Sequence, residues 1–290
     1  MDDVALLVNP AASRGRGRRV GAQAAALLRE SAVAVRECVS TGLQDAERFA
    51  RAVVADGCPA LVVCGGDGIV HVALQAVSGT GTALGVIPAG SGNDFARACG
   101  IPLGDAAAAV QVVRGGHTVA VDLGVAAGRR FGTVLASGFD SRVTERMNGM
   151  TWPRGKARYH AALVAELAAF RPLPFELEVD GARREVEAML VAVGNGSTYG
   201  GGMRICPAAR TDDGLFDVTV ITTLSRAKLI RLFHRVYPGT HVERPEVLTF
   251  QCSELIISAP AVTGFADGEY IAALPLTCTV ERAAIRVLVP

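Results

Sequence analysis

Short apolar runs alternate with amphipathic stretches over the first 115 or so positions. Residues 4–8, 33–39, 61–64 and 83–87 are compact and mostly apolar. Runs of that length between turn residues read as strands buried on both faces of a parallel sheet. Between them, residues 18–30, 44–55 and 69–77 carry helical spacing, and 105–114 adds a further helix. Strand and helix alternating in this way predict an α/β fold, a doubly wound open sheet.

The texture changes beyond residue 117. Runs at 117–127, 131–139, 175–179, 185–193, 216–221 and 248–258 are β-rich and joined by short turns, with a turn-rich segment at 147–158 and an apolar helix at 159–170. This half predicts an antiparallel β-sandwich. The division expected is a nucleotide-binding domain over 1–125 and a second domain over 126–283. The isolated run at 284–289 suits a strand returning to either domain.

Glycine-rich loops follow the predicted strands. The first strand ends in Asn9-Pro10-Ala11-Ala12-Ser13-Arg14-Gly15, the third in Gly65-Gly66-Asp67-Gly68, and the fourth in Pro88-Ala89-Gly90-Ser91-Gly92-Asn93-Asp94, each followed by a helix. Glycine lets the main chain approach a ligand, and a helix N-terminus offers free N–H groups, so these junctions suit a polyanion such as a nucleotide's phosphates. Asp67 would repel bare phosphate, which calls for a bridging divalent cation. In an open parallel sheet ligands bind beyond the carboxyl ends of the strands, where Asn9, Thr41, Asp67 and Ser91 would converge. Each loop alone also reads as a tight turn, and the first as a helix cap with a solvated arginine run.

Two further turns carry carboxylates. Residues 207–217, containing Arg210, Asp212, Asp213 and Leu215, offer oxygens to a hard cation or form an Asp-Gly turn before a strand. Asp267-Gly268-Glu269 sits between β segments, where a carboxylate either removes a proton from a hydroxyl or is merely solvated. Residues 224–236 interleave leucines with Arg226, Lys228, Arg231 and Arg235, a helix that lies on an anionic membrane or packs with a solvated basic face.

Composition narrows these choices. Half of the residues are hydrophobic, 20% are charged, and the net charge is +1, which argues for buried cores and against a nucleic-acid partner. Lys156 and Lys228 are the only lysines, so a lysine-centred phosphate loop is not expected. Seven scattered cysteines without a C-x-x-C pair predict reduced, mostly buried thiols in a cytoplasmic protein. The acidic start is unlike a signal peptide, and no apolar run is long enough to span a bilayer.

The ordered set VNPAASRGRG, GGDGIVH, PAGSGNDFAR, VDLG, GNGSTYGGGMRICPAARTDDGLFDV and FADGE resembles the diacylglycerol kinase catalytic family, the bacterial soluble lipid kinases related to sphingosine and ceramide kinases. The resemblance covers nearly the whole chain and implies an ATP- and Mg²⁺-dependent kinase acting on a lipid hydroxyl, most simply that of diacylglycerol. It also implies a cleft between the two domains, an apolar groove for acyl tails in the second, and peripheral contact with a membrane. By the same resemblance Asn9, Pro10, Ala11, Ala12, Ser13, Arg14, Thr41, Gly65, Gly66, Gly68, Ser91 and Asn93 would line the ATP site. Asp67 and Asp122 would support the catalytic Mg²⁺, and Glu269 would be the general base. Arg210, Asp213 and Leu215 would hold a structural Mg²⁺. The family's GGDGT is GGDGI here, with Ile69 in the threonine's place. A NAD kinase, which shares GGDG, a sphingoid-type kinase and a non-catalytic binding module stay open, as do the choice of ATP or GTP and a homodimer.

Overall fold

The structure, a computed structural model, describes residues 3–153, 161–162, 165–166 and 171–290. Most of the helix expected at 159–170, and part of the segment at 147–158, lie outside these residues. The chain opens on β1 (Asp3–Val8), α1 (Ala12–Glu30), β2 (Ala34–Val39), α2 (Leu43–Ala55), β3 (Ala60–Gly65), α3 (Asp67–Val77) and β4 (Ala83–Pro88). The short α4 (Asp94–Ala98) and then α5 (Ala106–Gly115) follow. The strands lie in the order β2-β1-β3-β4, all parallel. α1 packs beside α5 and α2 beside α3, so the sheet is wound on both faces. That cover explains the unbroken apolar character of β1, β3 and β4. β2 is the edge strand and carries Arg36 and Glu37. α1 buries Gly17, Val20, Gly21, Ala24, Ala25 and Leu28, one stripe at helical spacing.

The rest of the chain runs β5 (Thr118–Ala126), β6 (Arg129–Phe131), β7 (Val134–Gly138), α6 (Phe139–Gly149), β8 (Leu173–Val179), β9 (Ala182–Gly194) and β10 (Phe216–Thr222). It continues with α7 (Arg226–Val236), β11 (Val247–Cys252), β12 (Glu254–Ser258), β13 (Thr263–Ala266), β14 (Glu269–Ala273) and β15 (Leu276–Leu288). Leu135, Phe175, Leu177, Val191, Val193, Phe216, Val218, Leu255, Ile257 and Leu276 meet in the sandwich interior. α6 and α7 cover a second apolar face made by Val134, Ala136, Leu190, Ala192 and Ile221.

Three expectations change. The strand expected at 131–139 ends at Gly138, and α6 begins at Phe139. Gly138 turns the chain with φ +106, and a Cβ there would lie 2.6 Å from the Met189 carbonyl oxygen. The single run at 248–258 is two strands, because Asp180 accepts hydrogen bonds from Ser253 N, Ser253 Oγ and Glu254 N at 3.0, 3.0 and 2.9 Å. The run at 284–289 is the end of the 13-residue β15. That strand pairs antiparallel with β12 at its start and with β5 from Cys278 to Leu288, and parallel with β4 at Val287. One strand thus belongs to both the sandwich and the parallel sheet.

Candidate active site

Three loops meet at the carboxyl edge of the parallel sheet. Asn9 N donates to the Cys64 carbonyl at 2.9 Å, tying the end of β1 to the end of β3. Asn9 Oδ1 accepts from Ala11 N at 3.1 Å, which closes the Asn9-Pro10-Ala11 turn. Ser13, Arg14 and Gly15 then have φ of 45°, 60° and 94°, so regular helix starts at Arg16. Three consecutive left-handed residues, two of them not glycine, are costly unless the surroundings require them, and they cluster at ligand-binding sites. Ser13 and Arg14 are exposed at this edge. Thr41, after β2, donates to Asp45 Oδ2 from its amide and hydroxyl at 3.0 and 3.3 Å.

The Gly65–Gly68 and Pro88–Asp94 loops touch main chain to main chain. The Gly65 carbonyl accepts from Ala89 N and Gly90 N at 2.8 and 3.1 Å. A Cβ on Gly90 would lie 2.4 Å from Gly66 Cα, so no side chain fits between them. Asp67, the first residue of α3, spans the pair, its Oδ2 accepting from Asn93 N at 2.7 Å and its Oδ1 from Phe95 N at 3.3 Å. Burial, then the charges of Asp94 and Asp267, push the Asp67 carboxyl up to about 6, against the two amide hydrogen bonds. A half-buried acid with two further carboxylates near it suits a cation. Mg²⁺ is commonly held by one or two carboxylates together with substrate phosphates, so a single acid at a helix N-terminus fits it. Among the described residues no cluster of three or more His, Cys, Asp or Glu side chains is set to hold a metal alone.

Asn93, expected to line the nucleotide, shapes the loop itself. Its left-handed backbone (φ 56°) and its side chain close the loop, Oδ1 accepting from Gly90 N at 2.9 Å and Nδ2 donating to the Gly90 carbonyl at 3.0 Å. Ser91 is exposed at the loop tip. Ile69, the departure from the family motif, is buried, and its Cγ2 would lie 2.6 Å from a Cβ on Gly65. Its side chain is part of the core beneath the loop.

The sandwich brings its own acids to this edge. Glu269 begins β14, and its Oε1 lies 3.4 Å from where a Cβ on Gly68 would be. Two residues earlier, the Asp267 carboxylate accepts from Gly132 N, Thr133 N and Thr133 Oγ1 at 2.8, 2.9 and 2.5 Å. Its Oδ2 is 3.4 Å from His71 Nδ1. Burial alone would raise the Asp267 carboxyl, but the hydrogen bonds from His71, Thr133 and Gly132 hold it below its ordinary value. Arg129 Nη2 is 2.8 Å from His71 Nε2, and Nη1 donates to the Tyr270 carbonyl at 2.7 Å. Arginine only donates, so Nε2 is the acceptor and the ring proton sits on Nδ1, facing Asp267. Glu269 is thereby held on both flanks by one chain of side chains that begins on α3.

Asp94 forms a second link between the halves. Its oxygens accept from Gly201 N and Gly202 N at 2.7 and 2.8 Å. Neither Asp94 nor the His71–Asp267 pair follows from sequence spacing, since the partners lie 107 and 196 positions apart. The signal available was the presence of each within a glycine-rich motif.

Asp122 has both oxygens engaged by main-chain amides. Oδ2 accepts from Gly214 N at 2.7 Å and Oδ1 from Ala283 N at 2.6 Å. Its own amide donates to the Thr211 carbonyl at 2.7 Å. What this geometry supplies is a clamp joining β5, the kink of β15 and the 210–215 loop. Within that loop Arg210 pairs with Asp212, Nε to Oδ1 3.0 Å, and Asp213 Oδ1 accepts from Leu215 N at 3.0 Å.

The diacylglycerol kinase catalytic domain model matches residues 3–126, and the YegS C-terminal NAD kinase beta sandwich-like domain model matches residues 133–289. A protein of Mycobacterium tuberculosis (strain ATCC 25618 / H37Rv) named diacylglycerol kinase is 42% identical over 293 residues, covering 99% of this chain and 95% of its own. A diacylglycerol kinase of Bacillus subtilis (strain 168) is 25% identical over 274 residues, covering 93% of this chain and 90% of its own. The crystal structure of a diacylglycerol kinase from Bacillus anthracis str. Sterne is similar in fold, with a TM-score of 0.81 at 22% identity, over 100% of this chain and 97% of that one.

Proposed function

The chain belongs to the diacylglycerol kinase catalytic family, and from that premise we propose that it moves the γ-phosphoryl group of ATP to the primary hydroxyl of diacylglycerol or a close lipid relative, giving phosphatidic acid. The observation that carries the reading is the approach of Glu269 to the glycine loop, its Oε1 3.4 Å from the Cβ position of Gly68. An acid from one half of the chain lies against the phosphate-binding geometry of the other.

Phosphoryl transfer requires positioning and charge neutralisation more than covalent chemistry. The Asp67 and Gly68 amides open α3 ahead of its first main-chain hydrogen bonds, which run from Ile69 N and Val70 N to the Gly66 carbonyl at 3.2 and 3.3 Å, so these two are placed to meet phosphate oxygens. The exposed Ser13, Arg14, Thr41 and Ser91 ring the same edge. Asp67 would hold Mg²⁺, which when bound neutralises charge on the phosphates. Glu269 orients the lipid hydroxyl and accepts its proton, without which an alcohol is a poor nucleophile. In this reading the carbonyls of Arg210 and Leu215 with the Asp213 carboxylate would hold the second, structural Mg²⁺.

The test is transfer of labelled phosphate from ATP to a panel of diacylglycerol, sphingosine, ceramide and NAD, each product identified by mass. Phosphatidic acid is the expected product; phosphorylated NAD alone would overturn the assignment. Glu269→Gln is expected to lower kcat by about 10²–10⁴-fold with Mg-ATP affinity near that of the native chain. Undiminished turnover removes Glu269 from the mechanism.

A further inference from the structure

α7 presents two unlike faces. Leu229, Leu232 and Val236 are buried against the second apolar face of the sandwich. Arg226, Lys228, Ile230, Arg231, His234 and Arg235 are exposed. Lys228, Arg231 and Arg235 fall on one side of the helix at spacings of three and four. They face a groove whose other wall is Arg244 and Glu246 and whose apolar lining is Leu224 and Leu232.

Four cations therefore share one groove with a single carboxylate, and Glu246 is already taken, 2.9 Å from Lys228 Nζ and 4.0 Å from Arg244 Nε. Arg231 and Arg235 have no carboxylate partner among the described residues. Like charges gathered this way repel one another and give the fold nothing in return. A surface of that kind makes physical sense when it meets a polyanion. On the far edge of the helix Ile230 and Tyr237 are about half exposed, at 48% and 51%. Apolar and aromatic residues on one edge of an exposed face and a basic stripe on the other let a helix settle into the headgroup region of a bilayer.

We propose that the outer face of α7, with Arg244, is the surface by which this protein docks on a bilayer rich in anionic phospholipid, the groove receiving phosphodiester headgroups. This deepens the lipid-kinase reading and rests on it for its purpose, since a diacylglycerol acceptor lies in a membrane. A route connects the surface to the catalytic edge. The Val236 carbonyl, in the last turn of α7, accepts from Arg204 N at 3.0 Å. Tyr199 and Met203 exchange two main-chain hydrogen bonds at 3.0 Å, and between them lie Gly201 and Gly202, the two amides held by Asp94. A helix seated on the bilayer brings the rim of the cleft with it.

The experiment uses the full chain and two kinds of vesicle, phosphatidylglycerol mixed with phosphatidylcholine and phosphatidylcholine alone. The native protein is expected to sediment with the first and not the second, and to be released by salt. Replacing Arg231, Arg235 and Arg244 together by glutamine should weaken partition about fivefold per cation, about a hundredfold in all. Replacing the same three by lysine, which keeps the charge, should leave it intact. Circular dichroism establishes that each variant is folded.

Undiminished sedimentation of the folded glutamine variant overturns the proposal, as does equal binding to both vesicles. Capture of an RNA oligonucleotide with no vesicle binding assigns the surface to nucleic acid and overturns it too. A short-chain diacylglycerol dispersed in water needs no docking, so the native and glutamine proteins should phosphorylate it equally. Absence of that transfer in the native protein, with charge-dependent sedimentation intact, counts against the kinase reading and leaves the docking surface supported.

Discussion

In the proposed mechanism Asp67 sits between two demands, since a cation requires it charged while burial opposes charge. Its carboxyl is pushed from 3.8 up to about 6, burial first and then the charges of Asp94 and Asp267. Between those values the folded chain holds a proton that the unfolded chain has lost, so stability falls as pH rises through the window and levels off above it. The difference in unfolding free energy between the native protein and Asp67→Asn, measured in EDTA from about pH 4 to about pH 7, should carry this slope. It should amount to no more than about 3 kcal/mol, and Mg²⁺ with nucleotide at neutral pH should reverse it. A flat difference would show that folding does not raise this carboxyl, and no change on adding Mg²⁺ with nucleotide would remove the cation role of Asp67. In the same mechanism His71 acts as a positioning residue, through Asp267 and Arg129 on the turn that carries Glu269. His71→Phe strands a buried carboxylate and a guanidinium, and should cost about 1–3 kcal/mol. It should lower kcat with little change in KM for ATP, and His71→Asn, which keeps one donor and one acceptor, should restore part of the loss. A change confined to thermal stability would make His71 structural only.

At the level of elements, the decisive contact is between two loops with no side chain between them. Gly90→Ala would set a Cβ 2.4 Å from Gly66 Cα, where only main chain can yield. The expected result is a loss of about 1–3 kcal/mol together with a raised KM for Mg-ATP, read by thermal melting and steady-state kinetics. A variant with native KM would show that the loops need not touch to bind phosphate. The parallel strands, their helices and the glycine loops were legible because short apolar runs and Gly-rich punctuation are local signals. The start of α6 at Phe139 was not, because a strand stops there only when Gly138 meets the Met189 carbonyl of β9. The break at Ser253 depends on Asp180, a residue 73 positions away. Glu269 was visible as a carboxylate on a turn, but its clamp was not, since Arg129, His71 and Asp267 join only once the sheets are assembled.

For the molecule as a whole, the separation into 1–125 and 126–283 hides a shared part. β5 and β15 pair from Thr118 to Ala126, and β15 also touches β4 at Val287 and β12 over Glu254–Ile257. A fragment ending at Ala126 keeps all four parallel strands but leaves β4 and β5 without their neighbour. It should therefore fail to give a cooperative thermal transition, while the full chain should show the two halves melting together. An independently folding fragment would restore two separable units. The same strand has a mechanical meaning. Its register against β5 shifts between Glu281 and Ile285, at the point where Asp122 grips the Ala283 amide. Any relative movement of the two halves would have to twist this stretch of backbone, which is held as sheet by β12, β5 and β4 and is no loose tether. A load applied at the C-terminus would accordingly be felt in the parallel sheet and in the sandwich at the same moment.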